Sequence, residues 1–370
     1  MAMNTFANVE RDTTFWFNDA NIILIAHGDV AFRVHESVLA LHSEVFAGMF
    51  QETLSVTQGL DDERIDGCPI VLLDDTAYDI LQLLLVIYGF NRLKTPEETT
   101  FPILAALTRA GDKYVVTGVH DIVNECAHLL ISMVPATLDD YEEASKSRSA
   151  LEFESHHAVE ALHVFRLIDL GADALRTLSF ILYLCAQLDE NELRSGTARA
   201  DGTPEVLSGA DLDRVLALKR ELQRRGKQAV HEARYDFKGP EENCERYDED
   251  GNMVERGLEE CDIGYDESVV NCITQRVRDG YGRGDLFNPR LLDTMHDALR
   301  RDLVCYSCMK PKLSKQVQLR EDAWDALSDL QVPARPEARG FGPASDGRGF
   351  VEPQAGPPGR LRPSPGLGPA

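Results

Sequence analysis

Apolar residues recur along this chain with two different periods. Residues 21–26 (NIILIA) form an Ile-rich apolar run, and 31–34 alternate apolar with polar. His27-Gly28-Asp29 between them is a Gly-containing turn, so the spacing predicts a β-hairpin. Residues 37–41 and 44–50 then place Val38, Leu39, Val45, Phe46, Met49 and Phe50 at helical intervals. Residues 54–67 are polar and acidic and read as a surface loop. Residues 70–73 are a fully apolar strand, and Asp74-Asp75-Thr76 offers capping oxygens to the helix that follows. That helix carries Ile80, Leu81, Leu83, Leu84, Leu85, Ile87 and Tyr88 on nearly every side, which predicts an interior position. Pro96 and Pro102 flank the next turn. Two helices follow, 103–110 and 119–133, the second with Ile122, Val123, Cys126, Leu129, Leu130 and Met133 on one face.

Helical spacing dominates from there to residue 235. Residues 158–170 and 174–188 are densely apolar, and 210–225 form a charged amphipathic helix. Residues 236–267 hold thirteen acidic against three basic side chains and read as a solvated acidic loop. Helical patterning returns over 291–304 and 317–330, where Trp324 is expected to dock onto the helical region. Nine of the seventeen prolines fall in the last forty residues, a composition that cannot bury enough apolar surface to offset chain entropy. The expected organisation is a flexible 1–13, an α/β domain over 14–134, and a helical region over 135–235. An acidic loop (236–267), a second helical stretch (268–330) and a disordered Pro/Gly-rich tail (331–370) complete it.

Composition narrows the function. Of 370 residues 43% are hydrophobic and 27% charged, enough to build a core. The net charge of -24 repels phosphate backbones and anionic lipid, and no stripe of Lys and Arg is evident along the chain to offset it. Residues 1–15 lack a basic start followed by an apolar run, and 80–88 and 178–186 fall well short of the roughly 20 residues that cross a bilayer. Eight cysteines without an export signal are expected as reduced thiols, in a soluble intracellular protein of cytosol or nucleus.

Few residues suggest chemistry. Cys305-Tyr306-Ser307-Cys308 has the spacing of half a zinc site, and Cys261 and Cys272 lie upstream. Ten residues separate that upstream pair, so the four read first as small packed hydrophobes, with a zinc-stabilised module as the alternative. Asp248, Asp250, Asn252 and Glu259 match a calcium-loop template, but Met253 stands where the loop needs Gly, so this is an acidic loop. His35 opens a helix and reads as packed and hydrogen-bonded. No nucleophile elbow, Walker or dinucleotide phrase occurs, and Gly280–Gly284 follows no buried strand. Neither an enzyme nor a cofactor is expected.

The order of elements and several phrases resemble a BTB/POZ domain. Asp19-Ala20-Asn21-Ile22 opens the first apolar strand. Phe32, Val34, His35, Leu39 and Ala40 form an F-x-V-H-x-x-x-L-A phrase, and Phe46, Met49 and Phe50 follow at the expected distance. Gly111-Asp112-Lys113-Tyr114 is similar to the family's A-D-K-Y junction, with Cys126 and Leu130 matching the next helix. Glu36 departs from the basic residue usual there, and the 54–67 loop is longer than in compact members. The resemblance covers about 14–134, and the helical remainder is similar to extensions of fungal, basidiomycete-type members. It implies an α/β fold, a short β-sheet capped by a cluster of helices, and a non-enzymatic protein–protein interaction role. Self-association is implied, with Phe15, Trp16, Phe17 and Asp19 at the partner surface. A cullin-type ubiquitin ligase adaptor is the sharper implication, with Phe50-Gln51-Glu52 fitting the hydrophobic-x-Glu phrase; a transcriptional cofactor is the milder one.

Overall fold

The apolar run of β2 (Ile22–Ala26) occupies the middle of a five-stranded sheet and is buried on both faces. Its even positions, Ile22, Leu24 and Ala26, enter the main core, whereas Ile23 and Ile25 join Ala31 and Cys68 in a smaller cluster on the opposite face. Two-sided burial is why the strand shows no alternation. The computed structural model describes residues 9–27, 30–56, 64–90, 100–116, 122–147, 155–236, 246–247, 253–254, 275, 278, 286–287 and 306–329. β3 (Val30–Val34) pairs antiparallel with β2, as the hairpin reading requires. β5 (Cys68–Leu73) runs parallel to β2 on its other side. β1 (Glu10–Trp16) and the two-residue β4 (Arg64–Ile65) form the edges, giving the order β1-β3-β2-β5-β4.

Two sequence expectations change here. Part of the expected flexible N-terminus is strand: β1 pairs parallel with β3, although only Phe15 of its seven residues is fully buried. Backbone pairing, not side-chain burial, holds such a polar strand, so no alternation betrays it. The expected 54–67 loop contains the end of α2 (Glu44–Val56) and a hairpin turn. Asp66 and Gly67 both have positive φ, 51° and 80°, the signature of a two-residue turn matched to strand twist.

Helices α1 (Glu36–His42), α2, α3 (Ala77–Ile87), α4 (Phe101–Tyr114) and α5 (Ile122–Ser132) cover one sheet face. Thr76 caps α3 by accepting from the Asp79 backbone N–H at 3.2 Å. α4 and α5 approach closely at Gly111, where a Cβ would lie 2.9 Å from a methyl of Val123.

The core continues without a break into the helical region. α6 (Leu138–Ser147) leads to α7 (Ala158–Val164), which packs on α4 and on α8 (Ala174–Gln187). Residues 177–186 of α8 are all buried, the interior helix that its apolar run predicts. α7 stops at Val164, short of the expected 170. α9 (Glu190–Ser195) begins with a capping box of Asp189 and Glu192. A small hairpin, β6 (Thr197–Ala198) with β7 (Pro204–Glu205), precedes α10 (Gly209–Asp236), which is longer than expected. The Lys219 ammonium of α10 donates to the Ala186 and Leu188 carbonyls at 2.8 and 2.7 Å, capping α8. Within the acidic stretch, β8 (Arg246–Tyr247) pairs with β9 (Met253–Val254). The calcium-template residues and the expected helix over 291–304 lie outside the described residues, as does the tail.

α11 (Tyr306–Asp325), followed by a 3-10 turn over Ala326–Asp329, carries the docked Trp324. The Trp324 ring meets Phe287 at 5.1 Å, Tyr141 at 5.8 Å and Phe180 at 5.9 Å. Beside it Arg320 is buried, donates to the Leu286 and Phe287 carbonyls and pairs with Glu142 at 2.6 Å. No helix among the described residues is long and apolar enough to cross a membrane.

Candidate interaction surface

The N-terminal aromatics lead from β1 into a layered box. Phe15 is fully buried, in ring contact with Phe17, Tyr88 and Phe90. Phe17 stacks on Tyr88 at 5.4 Å and lies 5.3 Å from the His35 ring. Trp16 points to the other sheet face, where the Arg11 guanidinium sits 4.5 Å over its ring. Of the aromatic run, Trp16 and Phe17 therefore keep partial exposure, and Phe15 belongs to the core.

His35 is packed and hydrogen-bonded, as its sequence position predicts. Its backbone N–H donates to the Tyr88 hydroxyl at 2.9 Å, and Nδ1 lies 3.1 Å from the same oxygen. Nε2 is 3.4 Å from Asp19 Oδ1. Since the Asp19 carboxylate can only accept, the consistent neutral tautomer has the Tyr88 O–H donating to Nδ1 and Nε2–H donating to Asp19. Burial raises the Tyr88 pKa, the His35 amide opposes this, and the Asp19 charge adds to it. Glu36 does not meet Asp19. It exchanges two hydrogen bonds with Asn21, at 3.0 and 3.1 Å. Asp19, placed by the resemblance at the partner surface, pairs with the His35 imidazole.

The rest of the family phrase is core: Phe32, Val34, Leu39, Phe46 and Phe50 are buried, with Ala40 and Met49 at its margin. Phe46 stacks on Tyr114 at 4.3 Å and Phe50 on Phe46 at 5.8 Å. Phe50 is 2% exposed, so its ring is not available at the surface to anchor a partner. The Glu52 side chain lies outside the described residues, as do Cys261, Cys272 and Cys305. Cys308 is buried on α11, and no cluster of three metal-ligating side chains occurs among the described residues.

What the surface does offer is apolar. Leu41 of α1 is 77% exposed, Phe90 60% and Leu72 61%. A bridge between Ser43 and Val116, with the Ser43 hydroxyl donating to the Tyr114 carbonyl, sets exposed Val115 beside the α1–α2 turn. Large aliphatic side chains in water cost about 1.5–3 kcal/mol each relative to burial.

A second constellation, which sequence reasoning missed, joins the two halves of the fold. Arg109 of α4 forks onto Asp79 at 2.9 and 2.8 Å and reaches Glu160 of α7 at 2.5 Å. Arg199 of the β6–β7 hairpin forks onto Glu205, which also meets His163 at 3.3 Å. Burial raises the Glu160 pKa although Arg109 opposes it. Burial would lower the Arg109 pKa, but Asp79 and Glu160 outweigh it and raise it above the ordinary value. One arginine and one glutamate 51 residues apart carry no sequence signal that would pair them.

Neither a curated protein nor a solved structure gives a match. A family model does: residues 18–131 match the BTB/POZ domain, so the chain carries this protein–protein interaction fold, followed by a helical region.

Proposed function

We propose that the chain acts as a non-enzymatic interaction protein that self-associates through its BTB domain and recruits a partner through the helical region. The observation that carries this is Leu41, almost fully solvent-exposed on α1 while its neighbour Leu39 is wholly buried. A second copy offers the same apolar helix, and a two-fold axis through that face would bury both. Trp16, Phe17 and Asp19 lie at the partly exposed rim of the same domain. Co-expression of two differently tagged full-length copies tests it: each tag should recover the other, and Leu41→Glu should abolish recovery. Failure of wild-type copies to co-purify refutes self-association.

The cullin-adaptor reading has less support, because the apolar member of Phe50-Gln51-Glu52 is buried. It rests on the position of Glu52 late in α2. Co-precipitation of a cullin, lost in Glu52→Arg, would establish it; absence of any cullin among bound proteins would end it. A zinc-stabilised module would show bound zinc in purified chain, which the self-association reading does not require.

A further inference from the structure

The acidic composition conceals a local reversal of charge on α10. Residues Arg220, Arg224, Lys227 and His231 recur at intervals of four, three and four, and all four are exposed. At 100° per residue these positions lie within about 60° of one another around the helix, so they form one straight ridge. The helix thus supplies the stripe that a linear reading of the sequence does not reveal. Arg220 and Lys227 make no hydrogen bond or ion pair among the described residues. Arg224 is held in place by Glu221, at 2.7 Å through both Nε and Nη2. The remaining charged neighbours are Arg225, which shares Glu221 at 3.0 Å, Asp213 near the start of the line, Glu232 near its end, and Lys315 and Asp322 across the cleft toward α11. Glu232 and Asp322 each already accept from a Gln amide one turn away on their own helix, at 2.8 and 2.9 Å.

We infer that this ridge is a docking surface for an acidic segment of a partner protein. At physiological ionic strength charges beyond about 8 Å are largely screened. A ligand touching the ridge therefore feels Arg220, Arg224 and Lys227 and not the distant net charge of the chain. The rise of about 1.5 Å per residue sets the ridge cations about 6, 4.5 and 6 Å apart along the helix axis. An extended peptide presents alternate side chains about 6.6 Å apart on one face, so an alternating acidic strand of five or six residues spans the whole ridge. The surface is one helix wide and flanked by Asp213, Glu221 and Glu232, which disfavours the broad, dense charge of a nucleic-acid duplex.

Carbodiimide coupling of the full-length protein to a labelled octapeptide of alternating Glu and Ala reads such contacts as amide bonds to lysine. Lys227 should capture the peptide at least fivefold more than exposed Lys113 or Lys310, and Arg220→Glu with Arg224→Glu should remove that preference. Salt at 0.5 M, where the Debye length falls to roughly 4 Å, should do the same. Both substitutions are on exposed positions, and an unchanged circular dichroism spectrum confirms the fold. Equal coupling at all three lysines, or a Lys227 preference that survives the double substitution, overturns the proposal. So does a short DNA duplex that displaces the peptide at lower concentration than unlabelled peptide does, which would make the ridge a nucleic-acid surface.

Discussion

Replacing Arg109 with Met removes the cation hydrogen-bonded to both Asp79 and Glu160, which are 4% and 2% exposed. Methionine fills much the same space, so the loss is electrostatic. Breaking a buried pair from one side costs about 3–5 kcal/mol, because the partner is left charged and dry. Here two carboxylates are stranded, and Arg199, 3.9 Å from Asp79, compensates only in part. At roughly 2–4 °C per kcal/mol, the melting temperature at pH 7 should fall by at least about 6 °C. The sign with pH follows from the carboxylates. Without Arg109 the folded Glu160 pKa, already raised by burial, rises further, so the deficit is fully developed at neutral pH and shrinks as pH falls toward 4–5. Glu160→Gln should behave differently. The wild-type carboxyl already has a raised pKa, and an amide still accepts from Arg109, so stability should stay within about 1 kcal/mol. Thermal melts followed by Trp fluorescence and circular dichroism decide it. The two tryptophans report from different places: Trp16 on β1 packs on the small cluster behind the sheet, and Trp324 on α11 packs against the main core. Both should move together in Arg109→Met. A shift below 2 °C, or an Arg109→Met deficit that grows on acidification, refutes the reasoning.

Other outcomes follow from the same contacts. Trp324→Ala should destabilise the chain by about 2–4 kcal/mol, since the ring is half-buried among Phe287, Tyr141 and Phe180, whereas truncation after Leu330 should leave the melting temperature within a degree or two. Asp211 is buried, which alone would raise its pKa, but the Arg166 fork and the Ser208 hydroxyl hold it down to about 2. Its contribution of about 2 kcal/mol is present above pH 4 and lost as pH falls toward 2, so Asp211→Asn should flatten urea-derived stability across that window. Burial pushes Cys126 and Cys185 up to about 12, so neither should react with a thiol reagent at pH 8 until the protein unfolds. Gly196, at φ 86° and with the Glu205 carbonyl where a Cβ would stand, should not tolerate Ala: the hairpin that carries Arg199 should loosen, read as a lower melting temperature.

Periodicity carried the sequence reading where burial is one-sided or complete. The sheet centre, α3 and α8 are legible because their apolar runs have no other use, and Thr76 announces its cap. β1 was not legible: its strand is made by pairing with β3, and its side chains are mostly polar. The 54–67 segment misled because Asp66-Gly67 looks like generic loop, although it is a specific turn. At the candidate surface, the phrase that marks the domain marks its core: Phe32, Phe46 and Phe50 are conspicuous in sequence because they are buried. Leu41, which carries the proposal, looks in sequence like any other core leucine. The Arg109 junction depends on tertiary proximity alone. The α10 ridge is the opposite case, since its four-three-four spacing is visible once the helix is known to continue past Arg225.

Self-association is tested most directly by the mass of the full-length chain in solution. Light scattering at tens of micromolar should give about 82 kDa, twice the 41.2 kDa chain, and Leu41→Glu should return it to the monomer mass with its circular dichroism spectrum unchanged. A wild-type mass of 41.2 kDa at that concentration would contradict the account.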